Sequence, residues 1–261
     1  MLGACAWPAS LRGTRWMRRV LVVAGCGMAG VSLTACESTE QESAKLNREG
    51  QRLLTGQGAL KVGALNHSVK VSDVTLLSAS GRAAVAMRVS ASSTTPQLDL
   101  PLLVDVTGSG SKQLYSNEAG GLEASLQHVS LARPGQATWW VDDQVLLPQG
   151  SATSSDKATV RVGSGASPHR PAPVLAGTSG VHLGQQDGLA TAEGEVDGPF
   201  PSAHSKVPVF VVAQRNGRVV AAGRAVVSSP PRSGEHVPFQ ILLVGEPTGA
   251  SLQVSVAPAE S

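Results

Sequence analysis

Six histidines, His67, His128, His169, His182, His204 and His236, are the first candidates for acid–base or metal chemistry. None stands in an HExxH or HxH pattern or beside a cysteine. Zinc needs three or four converging ligands, so the sequence indicates neither a metal site nor a cofactor. Asp142-Asp143 is the most tempting acidic pair. Adjacent strand residues point to opposite faces, so these carboxylates would not cooperate as acid and base. Calcium would need more oxygen ligands nearby, and a solvated strand end is expected instead. No Gly-x-Ser-x-Gly elbow, Walker loop or dinucleotide fingerprint is present, and no catalytic residue is assigned. Trp139-Trp140 is the one feature above background. One indole should enter a core and the other should lie at or near the surface. Alternation with Ala137 and Val141 favours burying Trp139. The outer indole is either covered by a loop or another domain, or serves as an anchor for a protein or glycan partner.

The chain has three cysteines, Cys5, Cys26 and Cys36. Arg18 and Arg19 head an apolar run over residues 20–33, followed by small residues. A basic stretch, an apolar stretch and a small-residue cut make a secretory signal. The run has ~14 residues, short of the ~20 that span a bilayer. Leu33-Thr34-Ala35-Cys36 resembles the lipobox of bacterial lipoprotein signals. That resemblance implies cleavage before Cys36 and a diacylglycerol thioether on its sulfur. It also implies attachment to the extracytoplasmic face of the cell membrane.

Such a cut changes the bulk properties. Four of the 21 Lys+Arg and none of the 19 Asp+Glu precede Cys36, so the formal net charge passes from +2 to −2. With scattered cations and 3% aromatics, nothing points to a nucleic-acid partner. The two discarded cysteines leave no intramolecular disulfide, so the remaining roughly 225 residues must be held by their cores.

The elements that would position any site are strands. Val, Ala, Ser, Thr and Gly dominate, with 29 Gly and 16 Pro. β-branched residues favour strands, and Gly with Pro favours turns. Residues 1–35 are read as signal peptide and 36–58 as lipidated Cys and polar tether. Residues 59–163 give about seven short strands, and 164–180 a Pro/Gly/Ser linker. Residues 181–258 give a second strand set. Residues 100–106 form a nearly continuous apolar run, as in a strand buried on both sides. Ser80-Gly81 and Asn216-Gly217 mark hairpins, the latter strongly, because a type I′ turn needs positive φ at both central residues.

The two halves echo each other. Leu100-Pro101-Leu102-Leu103-Val104 matches Val207-Pro208-Val209-Phe210-Val211. Arg133-Pro134-Gly135-Gln136 before the Trp pair matches Arg232-Ser233-Gly234-Glu235 before Phe239. Ala158-Thr159-Val160-Arg161-Val162 matches the closing run at 251–256. This alignment sets Trp140 beside Phe239 and buries it, against the local alternation. Residues 181–258 resemble the FxLYD-type immunoglobulin-like domains of bacterial envelope lipoproteins. The resemblance rests on Gly194-Glu195-Val196, the strand at 207–212, Asn216-Gly217, the turn before Phe239 and the closing strand. The Phe-x-Leu-Tyr-Asp signature is absent, since Phe210 is followed by Val211-Val212-Ala213-Gln214.

The sequence therefore predicts an all-β protein of two tandem immunoglobulin-like β-sandwiches behind a lipid anchor. It would be a non-enzymatic binding or assembly module, in contact with the membrane through its lipid and with an envelope protein partner. A carrier of a small or hydrophobic ligand, and an accessory or inhibitor of an envelope enzyme, are the alternatives.

Overall fold

Three hairpins with the same turn chemistry organise the chain. Ser80-Gly81, Asp187-Gly188 and Asn216-Gly217 all have positive φ at both residues, the type I′ geometry that matches the right-handed twist of paired strands. They join β1 (Val69–Ala79) to β2 (Arg82–Ala91), β8 (Gly177–Gln186) to β9 (Leu189–Asp197), and β10 (Lys206–Arg215) to β11 (Arg218–Ser228).

The structure is a computed structural model that describes residues 60–148, 150–165, 173–200, 205–228 and 236–259. Leu33, Thr34, Ala35, Cys36, the tether, His169, His204 and the turn at 232–235 lie outside the described residues. The other elements are β3 (Gln97–Thr107), β4 (Gln113–Ser116), a single helical turn α1 (Ala124–Gln127), β5 (His128–Ala132), β6 (Thr138–Val145) and β7 (Lys157–Val162). They continue with β12 (His236–Leu242), β13 (Val244–Gly245) and β14 (Ser251–Val256). The fold is all-β, with antiparallel strands throughout its sheets. Among the described residues no helix is long and apolar enough to cross a membrane.

The first half pairs as β1-β2-β6, facing a second sheet centred on β3, whose neighbours are β4, β5 and β7. The second half pairs as β8-β9-β12 and as β13-β11-β10-β14. Similar pairings occur in the two halves. The aromatic-bearing strand joins the first hairpin in each half: β6 on β2, β12 on β9. The closing strand joins the long apolar strand in each half: β7 on β3, β14 on β10. β8 begins at Gly177, inside the stretch read as linker.

The halves are not beads on a string. The described residues lie in one compact unit, and the β1-β2-β6 sheet packs against β10, β11 and β13. β10 shows why. Its alternate residues Val207, Val209, Val211 and Ala213 fill the second core against β9 and β12, while Phe210 and Val212 enter the first core beside Val85, Met87 and Trp140. Every residue from 207 to 213 is buried, as is every residue from 83 to 87. These are the strands covered on both faces, and their continuous apolar runs are what double burial demands. The run at 100–106 meets the expectation in part. Leu100, Leu102, Val104 and Val106 are fully buried on one face and Leu103 is buried on the other, whereas Pro101 and Asp105 beside it are half-buried. Small residues let the inner sheets approach closely. A Cβ on Gly223 of β11 would stand 2.2 Å from the Leu242 carbonyl oxygen.

Candidate functional site

β6 carries both the tryptophan pair and the acidic pair; Trp139, Trp140 and Asp142 are buried and Asp143 is half-buried. The expectation of one indole at or near the surface is corrected: Trp139 is 4% and Trp140 2% exposed. β6 is the edge of its own sheet, but β10, β11 and β14 of the second half pack against it. The Trp139 backbone N–H donates to Ser255 Oγ (2.9 Å), and its Nε1–H donates to Gln253 Oε1 (2.7 Å). The Arg88 guanidinium stacks over the same ring at 5.5 Å, a cation–π contact. Trp140 Nε1–H donates to the Ser125 carbonyl (2.8 Å), and its ring meets Phe210 at 6.5 Å and 35°. The cover weighed for the outer indole is thus the second half of the chain, and the contact these residues make is internal.

Asp142 and Asp143 take different partners, and the expected solvated strand end is corrected as well. Asp142 is fully buried. Its Oδ2 accepts the Tyr115 hydroxyl proton (2.6 Å) and its Oδ1 the Gln144 backbone N–H (2.9 Å). Burial pushes the Asp142 pKa up, and these two bonds oppose the rise. Burial and then the neighbouring Asp142 raise the Tyr115 phenol. Asp143 is pushed up by burial and held back by the Arg224 guanidinium. Its Oδ2 accepts the Arg224 backbone N–H (3.2 Å). The Arg224 guanidinium, on β11 and 8% exposed, donates to the Glu123 carboxylate and to Ser125 Oγ (2.5 Å). Tyr115, Asp142, Asp143, Arg224, Glu123 and Ser125 therefore form one polar joint bridging the halves. Shifted carboxylates would suit acid–base chemistry in a cleft. Here each has an internal hydrogen-bond donor, and no histidine is among its partners.

A second cluster lies on the outer face of the β8-β9-β12 sheet. Glu193, Glu195 and Asp197 alternate along β9 and so share that face. His236 pairs with Asp197 in the β12–β9 register, and its Nδ1 lies 2.6 Å from Asp197 Oδ1. Ser179 Oγ donates to the same oxygen (3.1 Å). The His236 bond lowers the Asp197 pKa, and the same bond raises that of His236. Glu193 Oε1 accepts from Gln240 Nε2 (2.9 Å) and Thr191 Oγ1 (3.0 Å), which hold its pKa down. His182 Nε2 stands 3.7 Å from the other Glu193 oxygen. One ligand atom each from Glu195, Asp197 and His236 lies within 4.8 Å of the others. The sequence hid this group because His236 is 39 residues from Asp197. The visible signal was the acid–x–acid–x–acid spacing of β9.

A cavity of about 390 Å³ opens elsewhere, lined by Val174, Ala176, Phe200, Val207, Ala257 and other apolar residues. Its size falls in the range of small-ligand sites. No protein-family model matches the chain, and no curated protein matches it.

Proposed function

We propose that this chain is a lipid-anchored protein of the bacterial envelope, displaying two tandem immunoglobulin-like β-sandwiches as a non-enzymatic binding or assembly module. The carrying observation is Leu33-Thr34-Ala35-Cys36 at the end of a short apolar run headed by Arg18-Arg19. A single diacyl modification supplies two chains at one site, the number that stable membrane attachment requires. The equivalent pairings of β1, β2, β6, β3 and β7 with β8, β9, β12, β10 and β14 support two copies of one sandwich topology. The β6 carboxylates are engaged in the joint, which supports a structural role for the groups most suited to catalysis. With both tryptophans buried, this reading puts partner contact on the outer sheet faces rather than on β6.

The anchor is tested by fractionation. The wild-type chain should sediment with membranes and resist high salt, yet leave them in detergent. Cys36→Ala should appear in the soluble exported fraction. A Cys36→Ala protein that stays with membranes to the wild-type extent defeats the lipid-anchor reading. The cavity beside Phe200 supports a second reading, a carrier that shelters a small apolar ligand.

A further inference from the structure

We infer that Glu195, Asp197 and His236 form a zinc site on the outer face of the β8-β9-β12 sheet. The donor set is one imidazole and two carboxylates. Hard cations such as calcium take oxygen ligands, and imidazole directs a site toward first-row transition metals. Zinc accepts this mixture with bonds of about 2.0–2.2 Å, which place tetrahedral donors about 3.4 Å apart. The three ligand atoms already lie within 4.8 Å of one another, so side-chain torsions can close the shell without moving a strand.

The backbone supplies the preorganisation. Glu195 and Asp197 are two apart on β9, hence on one face, and His236 is directly opposite Asp197 on β12. Antiparallel neighbours hold such side chains about 5 Å apart at Cβ. The second strand neighbour adds an outer shell. Ser179 of β8 lies opposite Glu195 and donates to Asp197 Oδ1 (3.1 Å), the kind of bond that orients a ligating carboxylate. The imidazole now facing Asp197 Oδ1 marks where the metal would enter: the ion would replace the 2.6 Å contact between them. Three protein ligands leave one tetrahedral position for water or for a donor from a bound partner. His182 and Glu193, farther along the same face, are engaged with each other and with Gln240 and Thr191, and they are not ligands.

The test is calorimetric titration of the chelator-treated full-length chain with Zn²⁺. One ion should bind per chain with micromolar affinity. His236→Ala and Glu195→Gln should each weaken binding at least 100-fold, and Ser179→Ala about 10-fold, as loss of an outer-shell partner does. His182→Ala should leave affinity unchanged, and Ca²⁺ should not compete. All four substitutions are at the surface, and an unchanged circular dichroism spectrum checks each fold. No saturable Zn²⁺ binding at millimolar ion overturns the site. So does wild-type affinity in His236→Ala, equal weakening by His182→Ala, or displacement by Ca²⁺, which would mark a diffuse acidic face.

Discussion

Trp140→Ala should destabilise the protein by about 3–5 kcal/mol, the cost of emptying a buried tryptophan site. The ring is 2% exposed, packs against Phe210 from the other half, and gives its N–H to the Ser125 carbonyl. Truncation removes contacts in a core shared by both halves and leaves that carbonyl unpaired. Trp140→Phe keeps much of the packing and should cost less. Urea denaturation read by circular dichroism measures the difference. The shared core also predicts that both halves unfold together in one cooperative transition. A loss under about 1 kcal/mol, or two separated transitions, would contradict the packing described here.

Arg224→Met should cost a comparable amount, about 3–5 kcal/mol, by breaking a buried ion-paired network from one side. The guanidinium is the stronger of two cations, with Arg82, that oppose the burial of Asp143, and it ties β11 to Glu123 and Ser125. Without it, Asp143 keeps the backbone N–H groups of residues 224 and 143 and the weaker influence of Arg82. Its pKa should rise further. A second change, Asp143→Asn, removes the stranded charge and should recover part of the loss. A double-mutant cycle in the same denaturation assay measures this recovery. Additive costs would show that the two groups are independent.

Local chemistry in the sequence carried the strand class and the hairpins. Ser80-Gly81 and Asn216-Gly217 are turn pairs whose geometry allows little else. The halves could be aligned because a closing strand and an aromatic-bearing strand recur at similar intervals. β8 escaped notice because Gly177, Gly180 and Gly184 interrupt it and most of its residues are exposed. An edge strand with one wet face and few apolar residues has no strong period. Asp187-Gly188 just after it was the better signal. What covers a strand is also invisible locally. Alternation said that Trp139 and Trp140 face apart, and they could still both be buried, because β14 and β10 arrive from more than 60 residues downstream. Asp142 looked solvated for the same reason. Its partner Tyr115 is 27 residues away, and the Asp143 partner Arg224 is 81 residues away. The metal-ligating trio depends on the β9–β12 register, which no single stretch encodes.

The proposed envelope role rests on the sulfur of Cys36, and the mass of the mature N-terminal peptide is its test. The protein is expressed in a bacterium with its own lipoprotein processing, extracted in detergent and analysed by mass spectrometry. Cys36 should be the first residue and carry a diacylglycerol. A membrane-extracted chain that retains Leu33-Thr34-Ala35, or that begins elsewhere with a free Cys36 thiol, would contradict it.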